Sequence, residues 1–308
     1  MRLSVIVSPR SGRKRARKLA LAKRFSAYAD VYVTSSLDEL HDALERSREA
    51  GVDTIAILGG DGTNHLVLSE CLRIFGESAL PRFVFLRGGT MNTVANGVGV
   101  ARLPSEKLFE RLLRARDRGE TGPESWRRVM HVGEEVGFLF GVGAVHGFLA
   151  EYYGTGNPSP VTAASTLLRG AASALVGGET VKRMAKPFTG RVVFDDHRWE
   201  PRAYTAVTAG TVDQIGLGFR PFYRMQDCPG AFQVLGIFAE PLDFVKGLVN
   251  VRMARPMGLD RSHERLATRM TLQPSDAGPI DYMLDGDLRS APSPVTVRLG
   301  PMVRILTC

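Results

Sequence analysis

The sequence predicts an α/β domain with a mainly parallel sheet over residues 1–125 and an antiparallel β-sandwich domain over residues 126–295. The length of 308 residues exceeds that of a usual single domain. In the first part, short apolar runs alternate with helical patterns, which is typical of parallel strands covered by helices. A polar stretch with glycine and proline follows at 119–125, and beyond it short β-rich segments recur at the spacing of a sandwich.

The predicted strands of the first domain are short runs rich in β-branched or aromatic residues. They cover residues 3–7, 31–33, 54–58 and 82–86. Between the second and third strands, Ser36 and Glu39 have the spacing of a capping box, and the leucines after them lie on one helical face until Gly51. Another helix is predicted from about Ser105. Strands and helices therefore alternate throughout this domain.

The second domain is predicted from β-rich segments with two helical interruptions. The segments cover residues 128–132, 137–145, 191–194, 203–208, 231–238, 268–273, 295–299 and 302–306. The helical interruptions cover about 162–184, which is rich in alanine, glycine and serine, and about 241–253. The spacing of these segments favours an antiparallel sandwich.

The composition is that of an ordinary globular protein, with 44% hydrophobic and 23% charged residues. No apolar run reaches the ~18 residues that a spanning helix needs, and the first seven residues are too short for a secretory signal. Cys71, Cys228 and Cys308 lie far apart, which favours neither a disulfide framework nor a zinc site. We therefore expect a cytoplasmic protein that is soluble or at most peripheral to a membrane.

Basic residues are concentrated near the start of a chain whose formal net charge is +8. The cluster comprises Arg10, Arg13, Lys14, Arg15, Arg17, Lys18, Lys23 and Arg24. It is interpreted either as a solvated helix face or as a surface that attracts ATP phosphates or an anionic membrane. No recognition motif or aromatic platform accompanies the cluster, so nucleic acid is not an expected partner.

The strongest chemical signal is the segment Ile-Leu-Gly-Gly-Asp-Gly-Thr at residues 57–63. It predicts a buried strand that ends in a glycine-rich turn, before a helix that begins near His65. Glycines let backbone N–H groups approach an anion, and a helix N-terminus adds a favourable dipole. Asp61 would repel a phosphate, so it fits either an Mg²⁺ site or a group that polarises an acceptor hydroxyl. The alternative is a tight turn in which Asp61 only caps the helix.

The Gly-Gly-Asp-Gly-Thr segment at 59–63 resembles a motif shared by diacylglycerol kinases, sphingosine and ceramide kinases, and NAD kinases. Two further segments are similar to motifs of the lipid-kinase branch: Gly-Thr-Met-Asn-Thr-Val-Ala at 89–95 and Asp-Gly-Asp at 285–287. The segment Ser-Pro-Arg-Ser-Gly at 8–12 resembles that family's Asn-Pro-x-Ser-Gly loop. In order and spacing the chain resembles the diacylglycerol kinase catalytic-domain family, within the NAD kinase-like superfamily.

This resemblance implies an ATP- and Mg²⁺-dependent kinase that phosphorylates a hydroxyl of diacylglycerol or a related lipid. It also implies a nucleotide site in the cleft between an NAD kinase-like α/β domain and a β-sandwich, and a final segment, about 296–308, that returns to the first domain. The partners it implies are a lipid substrate and an anionic membrane surface; a homodimer is left open.

The resemblance also assigns roles to individual residues. Those expected around the nucleotide are Ser11, Thr34, Gly59, Gly60, Asp61, Gly62, Thr63, Gly89, Thr90 and Asn92. Thr34 has a second interpretation, as the residue that leads into the helix after Ser36. Asp285 and Asp287 match the triplet from which the family's general base is drawn, whereas sphingosine kinases use the acid that matches Asp61. We favour Asp285 as the base and Asp61 as an Mg²⁺ contact through water; a simple hairpin turn at 285–287 is the alternative.

Several departures from the family keep other interpretations open. Ser8 replaces an asparagine, Leu66 stands where many relatives have an acid, and Thr93 stands where many diacylglycerol kinases have aspartate. Asp227 matches the first acid of a loop that holds a structural Mg²⁺ in some bacterial relatives, but Gln233 replaces the second, and an amide is a poor substitute for a carboxylate. The alternatives are therefore an NAD kinase, or a lipid- or nucleotide-binding relative without catalysis.

Overall fold

The computed structural model describes residues 1–9, 15–156, 159–176 and 178–307. The chain divides into two compact units. The first comprises Met1–Arg127 with Pro301–Cys308, and the second comprises Arg128–Gly300. In sequence, the second unit is therefore an insertion between two segments of the first.

A parallel sheet forms the centre of the first unit. Its strands are β1 (Leu3–Val7), β2 (Asp30–Val33), β3 (Thr54–Leu58) and β4 (Arg82–Phe85). They lie in the order β2-β1-β3-β4 and pair in parallel throughout. Every residue of β1 and β3 is buried, as expected for central parallel strands with unbroken apolar sequences. The predicted parallel α/β fold is confirmed.

Helices connect these strands and follow the sheet. They are α1 (Arg15–Phe25), α2 (Leu37–Glu49), α3 (Asp61–Phe75), α4 (Thr93–Gly97) and α5 (Ser105–Asp117). Ser36 caps α2 as predicted, because its hydroxyl accepts the N–H of Glu39 at 3.1 Å. The carboxylate of Glu39 reaches back to the N–H of Ser35 at 2.6 Å, one residue before the position that the capping box assigns to it.

The prediction that α3 begins near His65 is wrong. Gly60 is the extended N-cap residue, and the helix begins at Asp61. The glycines of the motif indicated a loop, but an acidic residue in a first turn is stabilised by the helix dipole. The Asp-Gly-Thr half of the motif is therefore the first turn of α3.

The second unit contains two antiparallel sheets. Its strands are β5 (Glu124–Val132), β6 (Glu135–Gly137), β7 (Leu139–Gly143), β8 (Phe188–Phe194), β9 (Arg198–Tyr204), β10 (Ala206–Gly210), β11 (Phe232–Ile237), β12 (Ser262–Ala267), β13 (Arg269–Pro274), β14 (Ile280–Leu284), β15 (Asp287–Ala291) and β16 (Val295–Leu306). One sheet has the order β16-β13-β8-β9, with β5 pairing β16 and β6; the other has the order β12-β11-β10-β7-β14-β15. Side chains of both sheets, among them Phe140, Trp199 and Phe232, form one buried core, which confirms the predicted sandwich.

Helices of the second unit depart from the sequence prediction. They are α6 (Ala144–Gly154), α7 (Pro160–Val176), α8 (Glu179–Met184) and α9 (Pro241–Arg252). The single helix predicted over 162–184 is two helices, with Gly178 as the N-cap of the second. Residues 144–145, predicted as strand, begin α6, because a short apolar run does not distinguish a buried helix from a strand. Within the described part of the chain, no helix is long and apolar enough to cross a membrane.

The last strand contributes to both units. Residues 295–298 of β16 pair with β13 in the second unit, whereas Ile305 and Leu306 pair in parallel with β4 in the first. The separate strands predicted at 295–299 and 302–306 are thus one continuous strand. Arg128 and Gly300 are the first and last residues of the second unit. The guanidinium of Arg128 donates to the carbonyl of Gly300 at 2.9 Å, so the two ends of the inserted unit lie side by side.

Candidate functional site

The first predicted site residues lie at the carboxyl ends of the parallel strands. The N–H of Thr34 donates to the carbonyl of Val7 at 2.9 Å, and the N–H of Ser8 donates to the carbonyl of Leu58 at 3.3 Å. Thr34 is buried at this edge, and the end of β1 lies between it and the glycine motif that follows β3. Ligands of open parallel sheets bind at this edge. Ser11, also predicted here, lies outside the described residues.

Two glycine segments pack backbone against backbone beyond these strand ends. A Cβ placed on Gly89 would lie 2.5 Å from the Cα of Gly60, and one on Gly88 would lie 2.9 Å from the N of Gly59. A Cβ on Gly59 would overlap the side chain of Thr63. The glycines are therefore required by this mutual contact.

The first turn of α3 presents backbone N–H groups beside this contact. The first hydrogen bond within this turn runs from the N–H of Asn64 to the carbonyl of Gly60, at 3.0 Å. The N–H groups of Gly62 and Thr63 precede it, and such groups at the N-terminus of a helix have no partner within the helix. A helix N-terminus flanked by glycine is suited to a phosphate group. Residues 60–63 are partly exposed at this turn, whereas Gly59 is buried.

Asp61 ties this surface to the following helix. Its Oδ2 accepts the N–H of Thr93 at 2.9 Å, and its Oδ1 accepts the N–H of Val94 at 3.0 Å. These N–H groups belong to the first turn of α4. Asp61 therefore has a positioning role that was not predicted from the sequence. Its predicted roles as metal contact or base remain predictions.

Arg87 is a half-buried cation near Asp61. Its guanidinium donates to Asn96 Oδ1 at 2.9 Å. Burial lowers the pKa of Arg87, the neighbouring Arg102 adds to this decrease, and the charge of Asp61 opposes it. An arginine remains protonated after such a shift, so the Asp61 carboxylate lies in the field of a permanent positive charge.

The side chain of Asn92 stabilises the second glycine segment, residues 88–89. It adopts a left-handed conformation with φ of 50°, which asparagine tolerates better than most residues. Its side-chain amide forms two hydrogen bonds of 3.1 Å with Gly89, one to the N–H and one to the carbonyl. Thr90 lies in the same turn and is exposed. We infer that Asn92 shapes this turn, while the nucleotide contacts predicted for Gly89, Thr90 and Asn92 remain predictions.

Sequence reasoning missed Lys18. It was grouped with the basic cluster, but its side chain is only 2% exposed and its ammonium donates to the carbonyl of Ser8 at 3.1 Å. The helical spacing gave a usable signal, because Lys18 shares the buried face of α1 with Leu21, Ala22 and Phe25. Lys18 therefore places a positive charge at the carboxyl end of β1.

The C-terminal acids lie in the second unit, in the hairpin between β14 and β15. Leu284 pairs with Asp287, and the two turn residues, Asp285 and Gly286, have φ of 48° and 92°. Positive φ at both positions is characteristic of a type I′ turn. The alternative interpretation of the triplet as a hairpin turn is therefore correct as a description of the backbone.

Asp285 is nevertheless not an ordinary turn residue, since it is 3% exposed. Its Oδ1 accepts the N–H of Phe138 at 2.9 Å and that of Leu139 at 2.8 Å. Asp287 is about one-third exposed and accepts a long hydrogen bond of 3.4 Å from Arg289. A buried carboxylate held by two backbone donors has a fixed orientation, which a hairpin alone does not need.

Asp227 lies at the end of a single 3-10 turn, Tyr223–Gln226. Gln233 is fully buried, and its side-chain oxygen accepts the N–H of Arg224 at 3.1 Å. In the same region, the buried Asp213 accepts two hydrogen bonds from Arg220, at 2.9 and 2.6 Å. Among the residues that the structure describes, no group of three or more histidine, cysteine or acidic side chains could hold a metal ion. Metal binding by Asp227 therefore remains an unsupported prediction.

Comparisons with known proteins agree with this geometry. Residues 2–120 match the family model of the diacylglycerol kinase catalytic domain, which confirms the family resemblance over the first unit. A diacylglycerol kinase structure from Bacillus anthracis strain Sterne is 13% identical, with a TM-score of 0.67, and a candidate diacylglycerol kinase from the same strain is 14% identical, with a TM-score of 0.72. Both matches cover 99% of this chain and 96% of the other. At this identity they establish the fold; the search of curated proteins found no match.

Proposed function

We propose that the chain is an ATP-dependent lipid kinase that phosphorylates a hydroxyl group of diacylglycerol or a related lipid. The observation that supports this most directly is the backbone contact between residues 59–60 and 88–89 beside the N-terminus of α3. Such a glycine surface with helix N–H groups suits the phosphates of a nucleotide. It lies within the residues that match the diacylglycerol kinase catalytic domain.

In the proposed reaction, the acceptor hydroxyl oxygen forms a bond to the γ-phosphorus while the bond from that phosphorus to the oxygen of ADP breaks. The hydroxyl proton passes to a carboxylate, for which we propose Asp285, oriented by its hydrogen bonds to Phe138 and Leu139. Asp287 would help to orient Asp285. Asp61 would contact Mg²⁺ through water, and the ion, when bound, would neutralise the phosphate charges.

A phosphorylation assay against several acceptors tests the proposal. Purified protein, Mg²⁺ and ATP are incubated separately with diacylglycerol, monoacylglycerol, sphingosine, ceramide and NAD, and products are detected by the mass of one added phosphate. We expect a product with a glycerolipid or sphingolipid acceptor. Phosphorylation of NAD alone would replace this proposal with the NAD kinase alternative. ATP binding without any product would favour the non-catalytic relative.

Peripheral membrane contact is part of the proposal, since a lipid acceptor resides in a bilayer. The basic cluster supports this contact less than its sequence suggested, because Lys18 is buried and the Nη2 of Arg17 donates to both carboxylate oxygens of Glu106, at 2.9 and 3.0 Å. Its described members Arg15, Lys23 and Arg24 are exposed, as is the ion-paired Arg17. A homodimer remains a prediction that sedimentation can test.

A further inference from the structure

Helix α7 of the second unit carries an exposed apolar stripe. Val161, Leu168 and Leu175 are 78%, 69% and 69% exposed. They are spaced seven residues apart, so they lie on the same face of the helix. The opposite side of the helix is anchored, with Ala163 and Thr166 buried. Large apolar side chains aligned in this way normally face another surface.

Helix α9 packs against α7 and carries further exposed apolar side chains. Val249 and Met253, one turn apart at the end of α9, are 62% and 49% exposed. On its other side α9 is fixed to the sheet through a buried cluster that includes Val251. We call the exposed side chains Val161, Leu168, Leu175, Val249 and Met253 the α7–α9 surface.

The charge around the α7–α9 surface identifies the kind of partner. Helix α7 has one charged residue, Arg169, and no acidic residue. Residues 160–186 and 241–255 together contain seven basic and two acidic side chains, a net charge of +5. Apolar side chains that insert between lipids, flanked by bases that attract anionic headgroups, characterise helices lying on a membrane.

We propose that the α7–α9 surface docks on an anionic lipid bilayer by inserting its apolar side chains. This inference rests on the proposed function for its purpose, because a kinase acting on a bilayer lipid must bind the membrane in which that lipid lies. The proposal places the membrane contact on the second unit and not on the basic helix α1.

The test compares a double variant, Leu168→Gln with Leu175→Gln, with a matched control, Leu37→Gln. Leu37 is 59% exposed on α2 of the first unit, so all three substitutions alter exposed leucines on helices. Binding to vesicles of phosphatidylcholine with phosphatidylglycerol is measured by sedimentation, without ATP. Each inserted leucine contributes about tenfold or more to a binding constant, so the double variant should bind at least about a hundredfold more weakly, whereas the control should bind like the wild type.

Equal vesicle binding by the double variant and the wild type would overturn the inference, as would a wild-type dimer that the double variant dissociates without any change in vesicle binding. Activity on a short-chain, water-soluble diacylglycerol separates this inference from the proposed function. Normal turnover by the double variant on that substrate, with impaired turnover on vesicles, supports both. Vesicle binding that depends on these leucines, in a protein that phosphorylates no lipid, supports the docking and refutes the kinase.

Discussion

Gly89→Ala tests whether contact between the two glycine segments builds the nucleotide site. The new Cβ would lie 2.5 Å from the Cα of Gly60, whereas carbon atoms pack at about 3.5–4 Å. The segments must therefore separate by about 1 Å. The neighbour is backbone, so it cannot avoid the new atom by changing rotamer. The shift would also strain the hydrogen bonds of Gly89 to Asn92 and of Asp61 to Thr93.

Overpacking of this kind costs roughly 1–3 kcal/mol, so we expect the free energy of unfolding in urea to fall by about that amount. When the groups of a site are displaced by about 1 Å and no longer fit their ligand, the reaction rate can fall up to about a hundredfold. We therefore expect affinity for ATP with Mg²⁺, measured by calorimetry on the folded variant, to fall by about tenfold to a hundredfold.

The matched control is Gly278→Ala, because a Cβ there meets no atom within 4 Å and its φ is not left-handed. It should leave both stability and ATP affinity close to those of the wild type. If Gly89→Ala keeps the wild-type affinity for ATP, the glycine contact does not form the nucleotide site. If it also keeps the wild-type stability, the packing argument itself is wrong.

Three further predictions follow from other contacts. Asp285→Asn keeps an oxygen for the N–H groups of Phe138 and Leu139, so the protein should fold while kcat falls roughly 10²–10⁴-fold; near-normal turnover, beside an inactive Asp61→Asn, would move the base to Asp61. Lys18→Met keeps the volume of a buried side chain but removes its charge, and should weaken ATP binding more than Lys23→Met, which changes an exposed base; equal affinities would remove Lys18 from the site. Burial, followed by the hydrogen bond to Glu264, raises the pKa of Tyr223 to about 12. The contribution of Tyr223 to the free energy of unfolding is therefore complete below the usual tyrosine pKa of about 10 and is lost as the pH rises toward about 12. Urea unfolding of Tyr223→Phe should not show this loss over the same pH range.

Local patterns predicted the elements that depend on local physics. β1 and β3 were identified because their unbroken β-branched sequences suit buried parallel strands, and Ser36 was identified because capping needs only the next three residues. These features require no knowledge of distant residues.

Features formed by distant residues could not be predicted in the same way. The two hydrogen bonds between Asp61 and the first turn of α4 span 32 and 33 positions of the sequence, and no local pattern specifies them. Asp285 was selected by its motif, but the motif did not indicate that its carboxylate is buried and accepts two N–H groups about 150 positions away. Lys18 was counted with the neighbouring basic residues, although its helical spacing from the apolar residues of α1 is visible in the sequence.

The two-part contribution of β16 has a consequence for the order of folding. The pair formed by Phe83 and Ile305 is separated by about 220 residues, and bringing such distant residues together slows folding far more than it lowers stability. Once the second unit has folded, the hydrogen bond from Arg128 to Gly300 holds its two ends together. The distance between the two segments of the first unit is then short, although many residues separate them in sequence. We therefore expect the inserted unit to form early, and the pairing of β4 with β16 to be among the last contacts made.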